Sequence, residues 1–104
     1  MISAGKLGDV VVLTLIALAN TNATGADVIR GRDLYSQQCA LCHGVNGMAV
    51  QPGAPDFARG ERLMQPDLLL LRQIRAGKGT MPGFEGLLPD RDILSVIAYL
   101  RTFR

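Results

Sequence analysis

The chain opens with one long apolar stretch, Val10 to Ala19, interrupted only by Thr14. Crossing a bilayer takes about 20 such residues, whereas the core of an export signal takes about 7–15. Lys6 and the amino terminus precede the run. Two groups of small residues follow it, Ala17-Leu18-Ala19 and Thr24-Gly25-Ala26, and each fits a cleavage site. Residues 1–26 are therefore expected to be an export signal peptide, cut after Ala19 or Ala26 to leave residues 20–104 or 27–104. An uncleaved anchor and a buried helix are the competing readings, and Asp9 beside the apolar core weakens the positive start that a signal prefers.

Beyond this run the apolar positions recur with helical period in three segments. Asp27 to Ala40 reads as a first helix, with Asp27 as its cap and Val28, Leu34, Tyr35 and Cys39 near one stripe. Pro66 to Ala76 reads as a second. Pro66 sits at its first position, Leu68, Leu71 and Ile74 face inward, Arg72 and Arg75 face solvent, and Gly77 stops it. Pro89 to Phe103 reads as a third, with Asp90 and Asp92 in its first turn, Arg101 and Arg104 at its end, and Ile93, Val96, Ile97 and Leu100 as its apolar stripe. Between them, residues 44–60 and 78–88 are rich in Gly and Pro and read as loops. No strand alternation and no internal repeat appears, so the expected fold is all-α, with one domain over residues 27–104.

Composition narrows the chemistry. Eleven Lys and Arg against nine Asp and Glu give a formal +2, too weak a bias for nucleic-acid binding. Two cysteines and one histidine exclude a disulfide-dense scaffold and any site built from several His or Cys ligands. A chain this short buries little surface, and small domains usually recruit a cross-link, a metal or a held cofactor.

Those two cysteines and the histidine stand together, as Cys39-Ala40-Leu41-Cys42-His43. Cys-x-x-Cys-His is the pattern of c-type haem attachment. Two cysteines three apart at a helix end can reach two vinyl groups on one haem edge as thioethers, and the next residue then offers an imidazole to the iron. Three other readings compete. A thioredoxin-like pair wants a βαβ context, a closed zinc site wants four ligands, and a disulfide over so short a loop stabilises little. With one His in the chain, a sixth iron ligand would be Met, Lys, a small molecule or nothing.

A helix ending in Cys39-x-x-Cys42-His43, then Gly44, then a distant Met81-Pro82 in a Gly-rich loop resembles the class I cytochromes c, most of all the small bacterial monohaem members. The resemblance covers Asp27 to Arg104. It implies three main helices and Gly/Pro-rich loops wrapped around one covalent haem c, bound through Cys39 and Cys42. It implies His43 and Met81 as the axial metal ligands, with Met64 and Met48 as rival methionines. It implies that Pro55, twelve residues after His43, offers its carbonyl to the histidine ring, with Pro52 as competitor, and that Phe57 packs on the haem. Gly31 and Tyr35 match positions where the first helix crosses Val96 and Tyr99 of the last. Arg59, Arg62 and Arg72 are candidate propionate partners. The chain departs from the family where Leu88-Pro89 replaces the usual Ser, Thr or Asp cap of the last helix.

A haem iron with both axial positions filled has no open site for substrate. The resemblance therefore implies a periplasmic one-electron carrier rather than an enzyme, acting as a monomer between redox partner proteins, without stable membrane insertion once the signal is removed. Electrons would pass near Cys39 and Cys42. Met48, Ala49, Val50, Pro52, Pro82 and Gly83 are candidates for an apolar docking centre, with Lys78, Arg59 and Arg62 at its rim. The alternatives are a dedicated haem subunit of a dehydrogenase or reductase and, less favoured, a peroxidase or ligand-sensing haem protein.

Overall fold

The computed structural model describes residues 26–103. The expected signal peptide, but for Ala26, lies outside the described residues, as does Arg104. Four helices follow in order: α1 (Val28–Gln38), α2 (Ala40–His43), α3 (Asp67–Ala76) and α4 (Asp90–Leu100), with a 3-10 turn at Phe57–Arg59 before α3. Among the described residues there is no strand, only one isolated bridge between Lys78 and Met81. No helix among them is long and apolar enough to cross a membrane.

Asp27 caps α1 as its sequence position suggests. Its Oδ1 accepts from the N–H groups of Ile29 and Arg30 at 3.0 and 3.1 Å, a cap contributing about 1 kcal/mol. The first helix is shorter than expected. It breaks at Cys39 (φ −124°, ψ −33°), and the remainder of the motif forms the separate turn α2. Pro66 and Pro89 occupy the caps of α3 and α4 rather than their first positions. With ψ of 152° and 156° they remain extended while their carbonyls accept the first helical N–H groups. Neither cap has a side-chain bond. The last helix ends at Leu100, not Phe103, because residues 101–103 close as tighter turns.

The outer helices α1 and α4 cross at Gly31. A Cβ there would lie 1.9 Å from the carbonyl oxygen of Ser95, so any side chain would force the helices apart. Tyr35, 1% exposed, fills the space beside the crossing, its ring centroid 5.4 Å from that of Tyr99 and 5.3 Å from that of Phe103. The N-terminus of α1 is also pinned polar-to-polar. Asp27 N–H donates to Ser95 Oγ, and Arg30 pairs with the buried Asp92 carboxylate at 3.1 Å.

Two apolar clusters result. Leu34, Tyr35, Phe57, Leu63, Val96 and Leu100 form one, and Leu70, Leu71, Phe84, Ile93 and Ile97 form the other. The expected stripe of the last helix is buried as read. Two inward assignments are corrected: Leu68 is 63% exposed while Leu70 is buried, and Val28 is 43% exposed. Leu68 points away because α3 meets α4 with Leu70, Leu71 and Ile74, positions on one helical face. Val28 lies in the first turn, ahead of the crossing at Gly31.

Arg101 does more than complement the end of α4. Its guanidinium donates to the carbonyls of Leu63 and Gln65 at 2.6 and 2.8 Å and pairs with Asp67 at 2.6 Å. The end of α4 is thereby tied to the start of α3.

Candidate haem-binding cleft

The break at Cys39 turns the motif so that its members separate. Cys42 is exposed, Cys39 is half-buried, and His43 is 7% exposed. Gly44 ends α2 at φ +85°, where a Cβ would lie 1.9 Å from the carbonyl oxygen of Met48, so only glycine closes the turn here. The Tyr35 hydroxyl donates to Gly44 O at 2.6 Å and ties this turn back to α1.

His43 is held by its ring. Nδ1 lies 3.3 Å from the carbonyl oxygen of Pro55. A carbonyl only accepts, so Nδ1 carries the proton and the Nε2 lone pair is left for another partner. Burial lowers the His43 pKa, and the bond to Pro55 opposes that shift. The imidazole is thus kept neutral, the form that binds metals. Phe57 stacks on the same ring, with centroids 4.5 Å apart and planes at 23°.

Met81 approaches from the other cluster, packed against the group that contains Phe84 and Ile93. Its turn is closed by mutual backbone bonds with Lys78, each 3.0 Å. Gly77 (φ 73°, ψ 174°) adopts backbone angles open essentially to glycine alone, and lets the loop double back: a Cβ there would lie 2.5 Å from Gly83 N.

Between the two clusters runs a cleft with an empty volume of about 390 Å³, its open mouth included. Cys39 and Phe57 line it from the first cluster, with His43 stacked on Phe57, and Ile74, Met81 and Phe84 line it from the second. Tyr35, Leu88, Ile93, Val96 and Leu100 complete the lining. The cleft therefore brings together four of the six candidate site residues. Pro55 stands behind His43, and Cys42 at the surface. The rival methionines are elsewhere: Met64 is 93% exposed and not core, and Met48 is 64% exposed. Tyr35, Ile74 and Leu88 were missed as cleft residues because helical spacing marks a buried face without saying what it is buried against. Arg59, Arg62, Arg72 and Lys78 are exposed. Arg75 is corrected: it is half-buried and pairs with Glu85 and Asp90.

The donor set fits a metal that arrives on its own macrocycle. One imidazole and one thioether line an apolar space, with the Cys39 thiol beside them and Cys42 exposed three residues along. Among the described residues no cluster of three His, Cys, Asp or Glu could hold a bare ion. Burial, with a smaller contribution from Cys42, pushes the Cys39 thiol up to about 11. Redox-active cysteine pairs show the opposite shift, so a thioredoxin-like role does not fit. Fold and cleft together define a small helical protein with one apolar cleft, lined by an imidazole and a thioether, that suits a metal-bearing ring.

Comparison with known proteins gives that class its family. Residues 26–100 match the family model described as "Cytochrome C oxidase, cbb3-type, subunit III". Cytochrome c6 of Synechocystis sp. is 33% identical over 91 residues, covering 83% of this chain and 72% of that protein. Cytochrome c6 of Gracilaria tenuistipitata var. liui is 32% identical over 77 residues, covering 72% and 71%. The solved structure of the KustC0563 c-type cytochrome superposes with a TM-score of 0.65 at 30% identity, covering 71% of this chain and 96% of that one. Cytochrome c6 of the diatom Phaeodactylum tricornutum gives 0.59 at 29% identity, covering 72% and 91%. The chain belongs to the small class I cytochromes c. Membership implies a covalently bound c-type haem and makes the protein an electron-transfer protein rather than an enzyme.

Proposed function

We propose that this chain is an exported one-electron carrier holding a single haem c through thioethers from Cys39 and Cys42, with His43 and Met81 as axial ligands. The bound haem supplies a one-electron couple between ferric and ferrous iron. Pro55 orients the His43 ring and fixes its tautomer, which strengthens ligation. Met81 offers a neutral, polarizable sulfur, which raises the potential. Phe57, Phe84, Ile93 and the other cleft residues would keep water from the bound group, and His43 and Met81 together would leave its iron no open position for substrate. The observation that supports this reading best is one apolar cleft lined by both His43 and Met81.

Export follows from the apolar run at residues 10–19 and from attachment chemistry that operates outside the cytoplasm. The periplasm is the compartment proposed. Leu41, Val45, Met48 and Val50 are 64–90% exposed, and Val50 N–H donates to Cys42 O, so an apolar rim adjoins the exposed cysteine. Such a rim suits brief docking with a donor and an acceptor. The family model's description, a subunit of an oxidase, favours as second reading a haem subunit fixed to one complex. Copurification with a stoichiometric partner would support that reading over a free carrier.

Met81→Ala tests the ligation. Wild-type ferric protein is expected to show the weak red band of sulfur–iron ligation, and the variant to lose it while gaining carbon monoxide binding in the reduced state. A band that persists in the variant would remove Met81 from the iron.

A further inference from the structure

The last turn of α3 and the descending limb of the Met81 loop are joined at several points. Phe84 N–H donates to Ile74 O at 3.1 Å and Glu85 N–H to Arg75 O at 3.2 Å. A Cβ on Gly83 would lie 2.6 Å from Arg75 O, so the two backbones run in direct contact. The Arg75 guanidinium spans this junction. Its Nη2 donates to Glu85 Oε1 at 2.9 Å, and its Nη1 lies 3.5 Å from Asp90 Oδ2. One side chain thus connects the end of α3, a residue four past Met81, and the first residue of α4.

We propose that Arg75 is a positioning residue for Met81, an ionic latch that holds the loop shut and sets how readily an outside ligand displaces the sulfur from iron. The proposal rests on Met81 ligation as argued above. Parting the limb at Phe84 and Glu85 from α3, which frees the sulfur to swing away, breaks two backbone bonds and the Arg75–Glu85 contact, while Asp90 holds the guanidinium in place between α3 and α4. Backbone bonds respond little to salt. Charge contacts between partly exposed groups weaken as salt screens them. A latch of this kind therefore gives ligand exchange a salt dependence that backbone packing alone does not.

The test mixes ferric holoprotein with imidazole and follows replacement of the sulfur, at low and high salt, in wild type, R75M, R75K, M81A and the double variant E85Q/D90N. R75M and the double variant are expected to exchange about two- to fivefold faster than wild type at low salt, with R75K between. Added salt is expected to speed the wild type and leave R75M unchanged. The double variant keeps the guanidinium and its packing, so it reads the latch even where R75M fails to fold. If either variant keeps the sulfur–iron band and exchanges at the wild-type rate, the latch is overturned, whatever happens to its melting temperature. If wild type itself lacks the band and binds imidazole as fast as M81A, the ligation reading and the latch fall together.

Discussion

On the His43 side of the cleft, the supports are helix, core and backbone. The ring sits in a turn locked by Gly44, bonded to Pro55 and stacked on Phe57, behind a helix crossing with no room for a side chain. On the Met81 side, the sulfur rides on a loop that clings to the end of α3 by two backbone bonds, two close glycines and the Arg75–Glu85 ion contact. His43 is part of the domain's core, and Met81 is fastened to it. Damage to the first side should therefore appear as lost folding or lost haem, and damage to the second as altered ligand retention in a protein that remains folded.

The largest separation should come from Gly31→Leu. Its side chain has to occupy the space held by the Ser95 carbonyl, so α1 must leave α4, at about 3 kcal/mol or more. Urea unfolding of the purified holoprotein would read this, and a variant within about 0.5 kcal/mol of wild type would show that the crossing is looser than described. Gly77→Ala should cost less, about 1–3 kcal/mol, through strained backbone angles and contact with Gly83. Its effect should concentrate on the distal side: faster imidazole exchange, with a smaller change in the thermal midpoint. An equal effect on both would erase the contrast between the two walls.

Tyr35→Phe should be the smallest change, about 1 kcal/mol, from loss of the hydroxyl bond to Gly44 O. It also carries a pH signature. Burial is the main cause that raises the Tyr35 pKa above its ordinary 10.0. An unfolded tyrosine loses its proton above pH 10 while the folded one keeps it. This contribution is complete below pH 10 and is lost as the pH rises further, by at most about 1.4 kcal/mol per unit. Urea midpoints at pH 7 and pH 11 should diverge in wild type and diverge less in Tyr35→Phe.

Much of this architecture is legible in the residues. The Cys39–His43 motif, the Asp27 cap and the stripe of the last helix each combine a local rule with a distinctive spacing. Gly31 and Tyr35 declare a close crossing because a helix interior otherwise disfavours glycine. The face of α3 is not legible in the same way. Leu68 to Leu71 are four leucines in a row, longer than one helical turn, so every rotation of the helix presents leucine to the core. Only contact with Ile93 and Ile97 picks out Leu70 and Leu71. Pro66 and Pro89 fall one position from their expected place because a proline's φ suits both the cap and the first turn, and ψ alone distinguishes them. Arg75 reads as a surface charge and Arg101 as a helix-end charge, since their partners lie 10 to 38 residues away in the chain and no periodicity marks them. Met81 stands apart in the sequence by its Met81-Pro82 context and in the structure by position: Met64 stands in solvent, and Met81 lies against the cleft.

The most direct measurement is the intact mass and pyridine haemochrome spectrum of the exported protein, beside a Cys39→Ser/Cys42→Ser double variant. The account predicts a wild-type chain heavier by one haem that organic solvent does not extract, a two-thioether haemochrome, and a variant without either. A wild-type product at bare polypeptide mass, colourless and with both thiols open to alkylation, would contradict it.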